Sequence, residues 1–127
     1  MTALVLKLPF PPTINHYYER NGNRIFLGKA GTQFRQQVIE SCSHLVGEPI
    51  TGRVLVKVTL HNKTGRSYDI DNRCKALLDS LTHAAVWNDD SQVDQLFIQR
   101  GRPINGGLCV VEISQINQFD FVTGFKP

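Results

Sequence analysis

The chain is organised around the segment Ser67-Tyr-Asp-Ile-Asp-Asn-Arg-Cys-Lys-Ala-Leu-Leu-Asp79, in which two aspartates lead into a helical pattern. The apolar residues of that pattern share one helix face and are Ile70, Cys74, Leu77, Leu78 and Leu81. Asp69 and Asp71 flank Ile70 where the helix begins, and residues two apart in an extended approach point to the same side. We therefore expect a helix that ends near positions 83–85 and presents two neighbouring carboxylates at its start.

The charges of the chain are segregated. Six of its eleven acidic residues fall in the window 69–94, which holds only two of its fourteen Lys and Arg residues. These acidic residues are Asp69, Asp71, Asp79, Asp89, Asp90 and Asp94. Like charges held close together repel unless a cation or a helix terminus offsets them. A divalent metal on a protein that also holds polyanions accounts for both the acidic window and the basic remainder.

Strand and helix patterns precede this segment. Residues 4–8 and 54–61 alternate with the period of a strand that is buried on one face. Between them, helical spacing predicts a first helix from position 31 or 32 to 46, with Thr32 as its cap and Gly47 followed by Pro49 as its stop.

Two further features lie between the first strand and that helix. The proline-rich stretch 9–15 predicts a stiff connecting loop, because proline lacks the N–H that a sheet ladder needs. Residues 16–27 contain the turn dipeptide Asn21-Gly22 and predict a small hairpin or an ordered surface loop.

Two more strands are predicted after the second helix, over 91–100 and 108–113, with residues 102–107 joining them as a hairpin loop. At 127 residues the chain is long enough for one core and too short for two ordinary domains. We expect one α+β domain, residues 1–127, in the order β-α-β-α-β-β, with a mixed sheet packed by two helices and a core over about 4–113. Residues 117–127 form either a docked arm or a frayed end.

Composition excludes several classes of protein. The chain is 41% hydrophobic and 20% charged, as in a globular protein. Its three cysteines are odd in number and lack C-x-x-C spacing, which argues against a disulfide framework and a zinc site and favours reduced thiols in the cytoplasm. The apolar start is interrupted by Lys7 and ended by Pro9, so we expect no signal peptide and no membrane span.

The acidic residues also have structural interpretations. One or both of Asp69 and Asp71 would serve as an N-terminal helix cap and offset the helix dipole, and Asp71, Lys75 and Asp79 would form a surface ion-pair row. One of Asp89 and Asp90 would cap a turn while the other faces the site. A calcium loop beginning at Asp69 is rejected, because it lacks the glycine at loop position six and the terminal glutamate.

Three stretches together resemble the RusA family of Holliday-junction resolvases: Asp69–Thr82, Trp87–Val93 and Leu8–Asn15 with its following Tyr17-Tyr18. The resemblance spans about residues 4–113. It implies a RusA-like fold and a Mg²⁺-dependent homodimer, with Mn²⁺ as a possible substitute, that resolves four-way DNA junctions by paired symmetric nicks in recombination and repair. It also implies a cytoplasmic protein encoded by a bacterium or a prophage.

The resemblance further implies the site residues. Asp69, Asp71 and Asp90 would bind the metal and act in catalysis, Lys75 would be the catalytic or DNA-contacting lysine, and Asn72 a supporting residue. Family members often carry a denser arginine run just before D-x-D-N than Lys63 and Arg66 provide here. The tail after Ile116 has no counterpart in the family pattern.

The chemistry of the residues agrees with this implication. Phosphodiester hydrolysis needs an activated water and charge stabilisation, which Mg²⁺ ions held by carboxylates supply. Lys75, one turn after Asp71, is placed to offset charge on the transition state or to grip the scissile phosphate. The predicted DNA contacts are Arg20, Arg24, Lys63, Arg66, Asn72 and Arg73.

Two other functions fit parts of the sequence. One is a metal-independent nucleic-acid-binding module, in which the aspartates are caps and Tyr17, Tyr18 and Phe26 stack on bases. The other is a metal-dependent nuclease that acts on flaps, on other branched DNA or on RNA. For the resolvase, the two-fold symmetry of the junction calls for a homodimer, and its apolar interface would come from Trp87, Phe97 or the terminal phenylalanines. Trp87 is equally well explained as an ordinary core residue.

Overall fold

The computed structural model describes residues 4–116, in which six strands and three α-helices form. The strands are β1 (Leu4–Leu8), β2 (Tyr18–Asn21), β3 (Arg24–Leu27), β4 (Val54–His61), β5 (Val93–Arg100) and β6 (Leu108–Gln115). The helices are α1 (Ile14–Tyr17), α2 (Lys29–Cys42) and α3 (Cys74–His83). Two 3₁₀ turns, Asp71–Arg73 and Asp90–Gln92, precede α3 and β5.

Four strands form one mixed sheet in the order β1-β6-β4-β5. β4 pairs antiparallel with β6 and parallel with β5, and β1 pairs antiparallel with β6. The alternating residues of β4 lie alternately inside and outside, as their period predicts, with Val54, Val56, Val58 and Leu60 all buried. The predicted single α+β domain with a mixed sheet packed by helices is confirmed.

The predicted hairpin between the last two strands is wrong. β6 does not pair with β5 but enters between β4 and β1, so the connection must cross the end of β4. Backbone hydrogen bonds hold it there, from the Gly101 N–H to the Leu60 oxygen at 2.8 Å and from the Ile104 N–H to the Asn62 oxygen at 2.9 Å. A Cβ at Gly101 would overlap the His61 ring, so glycine permits the crossing.

The bounds predicted for the first helix are wrong at both ends. α2 begins at Lys29, with Gly28 as its N-cap, and ends at Cys42 rather than near Val46. Thr32 lies inside the helix, where its hydroxyl donates to the Gly28 oxygen at 3.0 Å. The early start follows from close packing, because the Gly28 N–H donates to the Tyr17 oxygen at 2.9 Å and Gly31 lies directly against that carbonyl.

The predicted hairpin after the proline-rich loop is confirmed. β2 and β3 pair antiparallel from Tyr18 opposite Leu27 to Asn21 opposite Arg24, so Asn21 ends the first strand at the turn. The connecting loop is shorter than predicted, because α1 begins at Ile14. The hairpin is a separate two-stranded sheet that joins α1 to α2.

The core lies between the inner face of the sheet and the helices α2 and α3. Trp87 belongs to this core with 1% of its surface exposed, so the alternative that it is an ordinary core residue is confirmed and it does not contribute to a dimer interface. Phe97, in contrast, is 49% exposed on the edge strand β5. The terminal phenylalanines and the predicted arm 117–127 lie outside the described residues.

All three cysteines are free, as predicted, and two of them, Cys42 and Cys109, are buried. Burial raises the pKa of Cys42 to about 11, so this thiol stays protonated at neutral pH. Within residues 4–116, no helix has both the length and the apolar character needed to span a membrane.

Candidate active site

Asp69 and Asp71 are both exposed to solvent, while Ile70 between them is half-buried and packs against the core. The backbone of Ile70 is in the right-handed helical region, at φ −78° and ψ −26°, so the extended approach expected before the helix is wrong at this position. The residues at the N-cap positions are Ile70 for the 3₁₀ turn and Arg73 for α3, and neither helix start has a side-chain cap. The interpretation of Asp69 and Asp71 as helix caps is therefore wrong.

The six aspartates of the acidic window divide into two groups. Asp79 pairs with Arg35 at 2.7 Å, Asp94 pairs with Arg53 at 2.5 Å, and Asp89 accepts a hydrogen bond from the Ser91 N–H at 3.0 Å. The carboxylates of Asp69, Asp71 and Asp90 make no ion pair or hydrogen bond with another residue of the range 4–116. The predicted row of ion pairs along α3 is therefore wrong, because Asp79 pairs with α2 instead of with Lys75.

The roles of Asp89 and Asp90 are distinct, as predicted. Asp89 caps the 3₁₀ turn, and the Gln92 side chain completes a capping box by accepting from the Asp89 N–H at 3.0 Å. Asp90 is half-buried in that turn, which packs against α3. Hydrogen bonds from Ser91 lower the pKa of Asp89, and the charge of Lys75 lowers it further. The turn that carries Asp90 thus lies within electrostatic range of the first turn of α3.

Asp69, Asp71 and Asp90 lie in turns that adjoin α3, but their side chains do not form a complete metal site. Within residues 4–116, no three His, Cys, Asp or Glu side chains lie close enough to hold an ion. The donor atoms nonetheless fit a hard cation, because carboxylate oxygens are the ligands that Mg²⁺ prefers. The metal assignment of Asp69, Asp71 and Asp90 stays a prediction.

Comparison with known proteins shows the family of this chain. The family described as Endodeoxyribonuclease RusA matches residues 9–114, from the proline-rich loop to the end of β6. This chain belongs to the RusA endodeoxyribonuclease family.

Individual RusA relatives match over nearly their whole length. The chain is 34% identical over 110 residues to the crossover junction endodeoxyribonuclease of Enterobacteria phage HK97, which covers 86% of this chain and 92% of the phage protein. It is 28% identical over 117 residues to the proteins of that name from Escherichia coli K12 and Enterobacteria phage 82, which covers 91% of this chain and 98% of each relative.

The residues predicted to contact DNA lie on the β2–β3 hairpin, in the loop after β4 and at the start of α3 of this RusA domain. Arg20 and Arg24 are exposed on the hairpin of β2 and β3, and Lys63 and Arg66 are exposed in the loop that follows β4. Lys75 is exposed in the first turn of α3. Asn72 and Arg73, in the 3₁₀ turn between these sites, are half-buried. Their DNA-binding roles stay predictions.

Tyr17 cannot stack on nucleic-acid bases, as the alternative binding module requires. Its side chain is fully buried. Tyr18 is half-buried, with its ring packed edge-on against Tyr17 at a centroid distance of 4.9 Å. Of the three proposed stacking residues, only Phe26 is exposed. The hairpin therefore does not provide the predicted aromatic platform.

A buried polar network beneath the RusA site had no signal in the sequence. The Tyr17 hydroxyl donates to the Asp79 carboxylate and accepts from Arg35 Nε at 3.2 Å and from Ser80 Oγ at 3.3 Å. Burial raises the pKa of Asp79, but hydrogen bonds from Tyr17 and Arg35 outweigh it, so the net pKa is lowered. Tyr17 lies 62 positions from Asp79, and no periodic pattern predicts such a contact.

Proposed function

We propose that this RusA-family chain is a crossover junction endodeoxyribonuclease that resolves four-way DNA junctions by paired symmetric nicks and requires Mg²⁺. The observation that carries the proposal is that Asp69 and Asp71 are exposed, cap no helix and precede Lys75 at the start of α3. Exposed carboxylates that make no ion pair contribute little to folding, so a role toward a cation accounts for them better. Resolution of a junction restores two duplexes, which places the activity in DNA recombination and repair in a bacterial or phage-infected cytoplasm.

Each residue of the candidate site has a stated role. Asp69, Asp71 and Asp90 would hold the Mg²⁺ ion, for which Mn²⁺ would substitute. When bound, the ion supplies an activated water and stabilises charge on the phosphate. Lys75 places its ammonium group at the same end of α3, where it offsets negative charge on the scissile phosphate. The hairpin arginines Arg20 and Arg24 hold the backbone of a junction arm.

The symmetry of the substrate supports a homodimer. One chain carries one D-x-D-N site, whereas a four-way junction presents two strands related by a two-fold axis. An isologous dimer would present two sites with the same symmetry. The edge strand β5, with its exposed Phe97, offers an apolar surface for such contact.

The first experiment compares substrates. In the presence of Mg²⁺, the wild-type chain should cleave a four-way junction much faster than a duplex or a flap of equal length. Asp71→Asn should retain junction binding and lose cleavage, because an amide is nearly isosteric but has no charge to hold Mg²⁺. Glu40→Gln, which removes an exposed carboxylate from α2, is the control and should cleave normally.

Three results would count against the proposal. Equal cleavage of flaps would favour the broader branched-DNA nuclease, and tight binding without cleavage in Mg²⁺ or Mn²⁺ would favour the binding module. Normal cleavage by Asp71→Asn would refute the metal assignment.

The second experiment tests the dimer. A plasmid with an extruded cruciform should be converted directly to linear DNA, because two sites cut both strands within one binding lifetime. Singly nicked circles as the main product, with a monomeric mass by light scattering, would instead indicate a simple nicking nuclease.

A further inference from the structure

The carboxylate pair lies between two residues that enter one stack of rings and guanidinium groups. The cation–aromatic stack consists of Phe10, Arg73, Tyr68 and Arg100. The Arg73 Cζ atom lies 4.6 Å from the centroid of the Phe10 ring and 5.8 Å from that of Tyr68. Arg100 Cζ lies 4.8 Å from the Tyr68 centroid on the β5 side. The stack therefore includes the residue just before Asp69 and the second residue after Asp71.

Hydrogen bonds tie this stack to the backbone of three neighbouring segments. Arg73 Nη1 donates to the Pro11 oxygen at 2.5 Å, which anchors the 3₁₀ turn to the proline-rich loop. Arg100 Nη2 donates to the Tyr68 oxygen at 2.5 Å, and the Tyr68 hydroxyl donates to the Leu60 oxygen at 3.1 Å. Both ends of the segment 69–71 are therefore held by groups from elsewhere in the fold.

A purely structural role for Arg73 would lower the stability of the fold. It is half-buried, and its Nε atom is buried without a hydrogen-bond partner among residues 4–116. Burial of a charge and of an unpaired donor lowers stability, whereas an apolar side chain of similar length would fill the same space without that cost. Unfavourable arrangements of this kind occur preferentially at functional sites.

We propose that Arg73 is a positioning residue of the nuclease site, which holds Asp69 and Asp71 side by side by clamping the 3₁₀ turn between Phe10, Tyr68 and the Pro11 carbonyl. This inference rests on the proposed function. It differs from the DNA contact predicted from the sequence, because the guanidinium group is committed to two rings and a backbone oxygen.

The discriminating variant is Arg73→Met, which keeps a long flexible stem and removes the planar donor group. Loss of the clamp should lower the single-turnover cleavage rate on a four-way junction by about tenfold to a hundredfold, the effect of misplacing a reacting group by about 1 Å. Junction affinity in EDTA and its salt dependence should stay unchanged. Resistance to urea should change little, because removal of the buried unpaired Nε offsets the loss of the Pro11 hydrogen bond and of the two cation–aromatic contacts. A residue with only a packing role would lose stability in proportion to the loss of cleavage.

A second measurement needs neither metal nor DNA. Amide hydrogen exchange of the segment 67–73 should be faster in Arg73→Met than in the wild type, while exchange in β4 should not change. Arg73→Lys should behave like Arg73→Met in both measurements, because one ammonium group cannot bond to Pro11 and stack in the same plane. Lys7→Met is the control, since Lys7 is an exposed residue of β1 that is not part of the stack, and it should match the wild type.

The possible outcomes separate the alternatives. Wild-type cleavage and wild-type exchange in Arg73→Met would overturn the inference. Weaker binding with a salt slope reduced by about one would identify Arg73 as a phosphate contact instead. Lower stability in proportion to the loss of cleavage would indicate that Arg73 has only a packing role. A wild-type chain that leaves the junction intact would refute the proposed function itself, whereas an active wild type with an unaffected variant refutes this inference alone.

Discussion

The buried network around Tyr17 permits a substitution with a calculable effect. Tyr17→Phe keeps the ring in the core and deletes only the hydroxyl, so no large cavity forms. The loss includes one hydrogen bond to the charged Asp79, which is worth about 1.5–3 kcal/mol. It also leaves the buried Ser80 hydroxyl without its acceptor, at a further cost of about 1 kcal/mol.

The expected decrease in the free energy of unfolding is therefore about 2.5–4 kcal/mol. With an unfolding entropy of roughly 2.1 cal/mol/K per residue, this corresponds to a fall in Tm of roughly 9–15 °C. Urea unfolding can be followed through the fluorescence of Trp87, the only tryptophan, which is buried. At an m-value of about 2 kcal/mol/M, the urea midpoint should fall by about 1–2 M.

The neighbouring tyrosine provides the matched control. Tyr18→Phe removes the same atom from a half-buried ring whose hydroxyl makes no hydrogen bond within residues 4–116. Its effect should stay within about 0.5 kcal/mol. If Tyr17→Phe loses no more stability than Tyr18→Phe, the hydroxyl does not couple α1 to α3 and the network is incidental.

Three further predictions concern α3 and α2. The pKa of Asp79 is lowered in the folded chain, so its carboxylate stabilises the fold above the ordinary carboxyl pKa of about 4, and this stabilisation is lost as pH falls through the folded pKa. In Asp79→Asn, the urea midpoint should therefore fall less steeply between neutral and strongly acidic pH than in the wild type. Gly31→Ala should cost about 1–3 kcal/mol in urea unfolding, because its Cβ would overlap the Tyr17 carbonyl oxygen, while Gly47→Ala, which meets no atom within 4 Å, should be neutral. Lys75→Ala should lower the cleavage rate by about 10²–10³-fold with little change in junction affinity; a loss of affinity alone would make Lys75 a phosphate grip.

Local patterns in the sequence predicted the main strands and the two longer helices, and they named the candidate residues. Alternation over 54–61 predicted β4 correctly because one face of that strand is buried. The same reasoning placed Ile70 inward and Asp69 and Asp71 outward. These features depend on neighbours within a few positions, and the order of residues in the sequence gives those neighbours directly.

Contacts between distant segments could not be predicted from local patterns. The pairing of β6 with β4 and β1 and the early start of α2 against the Tyr17 carbonyl both depend on how elements pack, and each contradicted a prediction from local pattern. Packing also decided between the two interpretations that the sequence left open for Trp87. The pairing of Asp79 with Arg35 instead of Lys75 is a further case, since both partners satisfy the same charge rule and only the position of α2 selects one. The sequence therefore determined which residues are available for chemistry at the start of α3. The tertiary structure decided which aspartates are committed to the fold and which stay free, because burial and hydrogen bonding across the chain depend on three-dimensional proximity rather than on spacing.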